Sequence, residues 1–172
     1  MYRYANPITL LRLGNELLAE HLHAIAAPLK GYTRTLLHRT PDFELLALCW
    51  APGAASAIHD HGESRCSVHV ARGLLLADNY QVREDGSLQH DETLVLHSGA
   101  FDHRAEGRDV HRMRAIESSP AISLHLYRGP IDACRVYEED GSSSVRRLRY
   151  DAILDIGIGR HLRHRELVAD LR

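Results

Sequence analysis

Two histidines one residue apart, His59 and His61, lie within a stretch bounded by Gly53 and Gly73 that also carries Cys66. On extended chain, side chains at i and i+2 point to one face, so both imidazoles can reach a single metal ion. Further along, Ala121–Tyr127 reads Ala-Ile-Ser-Leu-His-Leu-Tyr. A period of two places Ser123, His125 and Tyr127 on one face and Ile122, Leu124 and Leu126 on the other. Three polar groups on an inward face need hydrogen-bond partners. A relay Ser123–His125–Tyr127 meets that need and aims a phenol at the metal. Three side chains stacked along one strand give no nucleophile elbow, so serine-protease chemistry is excluded.

Positioning such groups requires a sheet. Asn6-Pro7 signals a helix start, and Ile8, Leu11, Leu18, Leu22 and Ile25 form one apolar stripe that Pro28 and Gly31 close. This helix, about 7–27, is expected to cover one face or end of the sheet. From Tyr32 the pattern becomes short strands between turn signals, at 32–37, 43–50, 56–61, 64–72, 74–82, 93–96, 109–116, 121–127, 132–137 and 145–150. The fold class expected is all-β with a covering N-terminal helix, the strands forming a sandwich or barrel. Gly53 and Gly73 suit tight bends at barrel corners. The chain reads as one domain over 1–172, with a barrel about 32–150 and a tail 151–172, in which Arg163–Leu171 is expected as a short basic helix.

Composition narrows the classes. The 172 residues suffice for a substantial core, and a net charge of −2 gives no reason to expect nucleic acid or an anionic membrane as partner. Three cysteines, Cys49, Cys66 and Cys134, are too few for a disulfide framework and fit a reducing, cytoplasmic setting. No signal peptide or membrane span is expected, since the longest apolar run, Leu45–Ala55, is interrupted by Pro52 and Gly53.

The spacing Gly53, His59, His61, Cys66, Gly73 resembles the first cupin motif, G(X)5HXH(X)3-4E(X)6G, with cysteine where that family has glutamate. A second cupin-like block follows at 97–111. Ser98-Gly99 stands where the motif has Pro-x-Gly, and His111 opens an alternating strand as the third candidate ligand. His97 and His103 are its rivals, because spacing does not measure distance. His59-Asp60-His61 with Cys66, His111-Arg112 and Ser123-Leu124-His125-Leu126-Tyr127 together resemble the cysteine dioxygenase family, cupin-fold thiol dioxygenases. Tyr32-Thr33-Arg34, ahead of Leu48-Cys49-Trp50, matches its substrate-carboxylate arginine motif.

That resemblance implies a cupin jelly-roll barrel in which His59, His61 and His111 bind Fe(II). It implies that Arg34, with Tyr32, holds the substrate carboxylate, that Tyr127 lies beside the oxygen site, and that Cys66 forms a thioether to the Tyr127 ring. The implied reaction adds both atoms of O2 to the sulfur of L-cysteine. Family members acting on 3-mercaptopropionate carry glutamine at the arginine position, so Arg34 argues for the arginine subgroup. Animal members follow the tyrosine with Ser-Pro-Pro, whereas this chain has Arg128-Gly129-Pro130. Alternation points Arg128 outward; a bend at Gly129 brings it in to a second carboxylate, as on a mercapto-dicarboxylate. A non-catalytic metal-binding sensor is the remaining alternative. The expected partners are a small thiol and O2, with the protein a monomer or weak homo-oligomer.

Overall fold

The computed structural model describes residues 6–25, 28–104, 109–116, 118–138 and 140–162. Helix α1, Pro7–Ala19, opens as the sequence predicts: the Asn6 side chain accepts from the Ile8 amide at 2.9 Å, with Pro7 in the first turn. It ends earlier than residue 27. The His21 amide bonds the Leu18 carbonyl, and the chain passes into a single 3-10 turn at Leu22–Ala24. The reason is burial: Leu10, Leu11, Leu17 and Leu18 are buried, whereas Leu22 is exposed, so the apolar stripe loses its supporting surface there.

The strands, in chain order, are β1 (Tyr32–Arg39), β2 (Phe43–Trp50), β3 (Ile58–His59), β4 (Arg65–Arg72), β5 (Leu74–Val82) and β6 (Leu88–His97). They continue with β7 (Phe101–Arg104), β8 (Val110–Ala115), β9 (Ala121–Arg128), β10 (Ala133–Tyr137), β11 (Ser143–Arg147) and β12 (Ala152–Ile153). A first sheet runs β12-β1-β2-β9-β4-β7 and a second runs β11-β10-β3-β8-β5-β6. Their inner faces pack together through Leu46, Leu48, Trp50, Val68, Val70, Leu75 and Met113. The outer face of the first sheet carries Leu45, Ala47, Leu124 and Leu126 against α1. Strand β2 is therefore buried along its whole length, on both faces.

Two glycines make close approaches. A Cβ on Gly14 would meet Leu45 Cδ2 at 2.7 Å, so the bare glycine lets α1 sit down on the sheet. Gly73 turns the chain from β4 to β5 at φ +82°, and a Cβ there would meet the Pro120 carbonyl oxygen at 2.7 Å. Three strand expectations shift: the 93–96 segment is the end of a ten-residue β6, whose exposed polar residues hide its period; the 56–61 segment shrinks to Ile58–His59; and 145–150 becomes Ser143–Arg147. Two short strands, β7 and β12, were not expected. The expected helix at Arg163–Leu171 lies outside the described residues. Among the described residues, no helix is long and apolar enough to cross a membrane.

Candidate metal centre and its cavity

The second sheet brings the nitrogen donors together. His59 on β3 stands in register opposite His111 on β8, and His61 follows two residues beyond the strand end. One ligand atom from each of the three lies within 4.8 Å of the others. The His61 and His111 Nε2 atoms are 3.3 Å apart, a separation that suits two donors each about 2.1 Å from a shared ion. The His59 Nδ1–H donates to the Ala57 carbonyl at 2.9 Å, leaving Nε2 as the free donor. Burial lowers the pKa of all three imidazoles, so they are neutral and fit to ligate at pH 7. The Nδ1 atoms of His61 and His111 are buried without a partner. The donor set thus fits a metal held by three neutral nitrogens.

Asp60, between the two histidines, holds them in place. Its Oδ1 accepts from the amides of Gly62 (3.1 Å) and Arg135 (2.9 Å), and its Oδ2 accepts from the Tyr137 hydroxyl (3.1 Å). These bonds tie the His59–His61 segment to β10. The rival histidines lie elsewhere: His97 is exposed at the end of β6, and His103 on β7 bonds the Ser67 hydroxyl at 2.7 Å.

The first sheet faces this centre with the predicted polar row. Trp50 Nε1–H donates to Ser123 Oγ at 2.9 Å, and Ser123 Oγ lies 2.9 Å from His125 Nε2. An indole N–H only donates, so Ser123 Oγ accepts from Trp50, and its second contact, to Nε2, orients the His125 ring. His125 Nδ1 lies 4.0 Å from Cys66 Sγ, and its ring stacks on Tyr127 with centroids 6.3 Å apart. Cys66 on β4 stands in register opposite Tyr127 on β9, both buried. Burial pushes the thiol up to about 12, against a hydrogen bond with Tyr127 that pulls it down. Burial, then Cys66, raises the phenol well above its ordinary value. Both groups are protonated at neutral pH.

Between the two sheets lies a cavity with about 570 Å³ of non-protein space, part of it open to solvent. His59, His61, His125, Tyr127, Tyr32 and Arg34 line it. Arg34 is buried; Nη1 donates to the Arg149 carbonyl at 3.1 Å, while Nη2 is buried without a partner. Tyr32 stacks on Trp50 at 4.6 Å between centroids. Arg128 is exposed at the end of β9 and does not line the cavity, since the alternation that turns Tyr127 inward turns it outward. Sequence reasoning missed Arg146, Cys134 and Met113, which do line it. It also missed Glu44, wholly buried beside Tyr127 in the β2–β9 register. A lone carboxylate in the otherwise uncharged strand Phe43–Trp50 was the available signal for Glu44.

His125 gives the centre a pH dependence. Burial, then Arg34 and His59, hold its imidazole at about 3, against 6.5 for an ordinary one. Between those values the unfolded chain binds more protons than the folded one, so stability is full above about 6.5 and falls as pH drops toward about 3. The metal-free triad acts in the same direction. Urea unfolding of the metal-free protein is expected to show a lower midpoint at pH 5 than at pH 7.5, with a smaller difference in His125→Gln. Equal midpoints at both pH values in the native sequence refute this account.

Two facing, mainly antiparallel sheets with three inward histidines on one of them define a cupin-fold protein with a three-histidine metal centre. Solved structures agree on the fold: TT1209 from Thermus thermophilus superposes with a TM-score of 0.50 at 19% identity, covering 63% of this chain and 93% of that one. The Schizosaccharomyces pombe Cnp3 cupin domain gives 0.51 at 10% identity, covering 63% and 67%. The sequence profile of cysteine dioxygenase type I matches residues 20–140, and the chain belongs to that family. Cysteine dioxygenase type 1 of Rattus norvegicus is 33% identical over 114 residues, and that of Danio rerio 30% over 120. Each match covers 63% of this chain and 56% of the relative, so the chain spans little more than half the length of these curated proteins.

Proposed function

We propose that the protein is a non-haem, Fe(II)-dependent thiol dioxygenase that adds both atoms of O2 to the sulfur of L-cysteine, yielding cysteine sulfinate. The observation that carries this reading is a cavity lined by His59 and His61, with His111 completing the neutral triad 3.3 Å from His61, and by a buried arginine with an unpartnered guanidinium nitrogen. His59, His61 and His111 hold the iron. The chemistry a bound Fe(II) supplies is reaction of O2 with an adjacent thiolate, at a centre whose charge no carboxylate ligand reduces. Arg34 Nη2 takes the substrate carboxylate, with the Tyr32 ring beside it. Tyr127, a neutral phenol, donates a hydrogen bond toward the reacting atoms. Burial keeps His125 neutral, and Ser123, itself bonded by Trp50, orients its ring beside Tyr127. Leu48, Trp50 and Met113 exclude water from the cavity wall. The three cysteines are free and buried, in keeping with a reducing cytoplasm.

The pairing of Cys66 with Tyr127 supports a thioether between Sγ and the phenol ring. Forming that bond removes the thiol hydrogen and one ring hydrogen, and O2 accepts the two electrons and two protons. Intact mass after incubation with iron, thiol and oxygen is expected to fall by two hydrogens, a loss absent in Cys66→Ser. An unchanged mass in active enzyme removes the crosslink.

One observation favours a second reading with the same chemistry. Arg146 lines the cavity from β11, where Arg128 does not, and suits a thiol bearing a further carboxylate. Oxygen uptake by iron-loaded protein separates the readings. Uptake is expected with L-cysteine, yielding a product two oxygen atoms heavier. Uptake confined to a mercapto-dicarboxylate or 3-mercaptopropionate moves the substrate, and no uptake with any thiol at full iron occupancy leaves a metal-binding sensor.

A further inference from the structure

The segment after β11 lies over Arg34 and grips it on three sides. The Arg149 carbonyl accepts from Arg34 Nη1 at 3.1 Å. The Asp151 carboxylate accepts from the Arg34 amide at 2.7 Å, and the Asp151 amide donates to the Arg34 carbonyl at 2.8 Å. Between these two residues stands Tyr150, with Arg34 Cζ 5.9 Å from its ring centroid. The Leu148 amide ties the start of the segment to the Asp132 carbonyl at 2.9 Å.

The Tyr150 phenol is clamped in turn. It donates to Glu44 Oε2 at 2.6 Å and accepts from Arg39 Nη1 at 2.6 Å. Arg39 Nη1 also pairs with Glu44 Oε2 at 3.3 Å, and Arg39 Nη2 with Asp132 Oδ1 at 2.9 Å. Glu44 is wholly buried, so its carboxylate depends on these partners and on the Ile131 amide at 3.4 Å. A buried charge held this way leaves the phenol a single low-energy placement. The ring then restricts an arginine whose long side chain otherwise samples many rotamers.

We propose that Tyr150 is a positioning residue for Arg34: anchored by Glu44 and Arg39, it holds residues 148–151 over the guanidinium so that one nitrogen, Nη2, stays free for the carboxylate of the thiol substrate. The inference rests on the reading of Arg34 as the carboxylate partner. Nothing in it requires Tyr150 to touch substrate.

The test is binding without turnover. Trp50 is the only tryptophan of the chain and lines the cavity, so its fluorescence reports occupancy. Iron-loaded protein is titrated without oxygen with 3-mercaptopropionate and with propane-1-thiol, which lacks the carboxylate. Tyr150→Leu is expected to raise Kd for the acid about tenfold, the scale of one charged hydrogen bond, with propane-1-thiol changed less than about twofold. Tyr150→Phe, which keeps the ring, is expected to raise it about threefold and carries the test if the leucine variant fails to fold. Equal weakening of both thiols makes Tyr150 merely structural and overturns the proposal. So does an unchanged Kd for the acid in both variants while Arg34→Ala weakens it. If Arg34→Ala itself leaves the acid's Kd unchanged, the reading of Arg34 falls and this inference falls with it.

Discussion

Alanine at position 111 is expected to strip the protein of iron and to end oxygen uptake. His111 is almost fully buried, and its Nε2 lies 3.3 Å from that of His61. Changing even a partner of a metal ligand typically costs about 10–100-fold in affinity or activity, so losing a ligand is expected to exceed roughly 100-fold. Two ring nitrogens on one side of an ion cannot replace the third, because His125 is engaged with Ser123 on the opposite sheet. Iron content by absorption spectroscopy and oxygen uptake are the measurements, with circular dichroism confirming the fold. His97→Ala and His103→Ala are the controls and are expected to keep full iron. Retained iron and uptake in His111→Ala would eliminate it as a ligand.

Arg34→Ala is expected to raise KM for L-cysteine about 100-fold, with a smaller fall in kcat, since leaving a buried charge partner unpaired costs about 2–5 kcal/mol. The cause lies in the unpartnered Nη2: buried polar nitrogens are normally satisfied, and this one belongs to an arginine that lines the cavity, where a substrate carboxylate is expected to satisfy it. Arg34→Lys is expected to fall between the two, because an ammonium lacks the planar fork that grips a carboxylate. The split between KM and kcat is read from oxygen-uptake kinetics. An unchanged KM in Arg34→Ala would remove the arginine from substrate binding and leave cysteine selection to other groups.

The two walls of the site were unequally legible. Ser123, His125 and Tyr127 could be placed on one inward face because a strand's alternation is visible in seven residues, and β9 runs Ala121–Arg128 as a regular strand. Strand β2 hides that period: Phe43–Trp50 is buried on both faces, by α1 outside and the second sheet inside. So Trp50 was seen as part of a motif, while its bond to Ser123 was not. Arg146 was hidden for the opposite reason. Its strand is exposed throughout, and a charge in an exposed strand reads as solvated until the second sheet closes around the cavity.

What the sequence determined alone was local: side-chain direction along extended chain, the bends at Gly53 and Gly73, and two imidazoles, His59 and His61, aimed to one face. Those follow from backbone geometry and residue chemistry over a few positions. Only the tertiary structure decided that His59 stands opposite His111 and Cys66 opposite Tyr127, that Arg128 faces out while Arg146 faces the cavity, and that Arg34 keeps one nitrogen free. His61 and His111 are 50 residues apart in the chain. Which residues meet across strands that distant is set by register, which every pairing in both sheets fixes together, and a one-residue slip turns each of these groups to the other face.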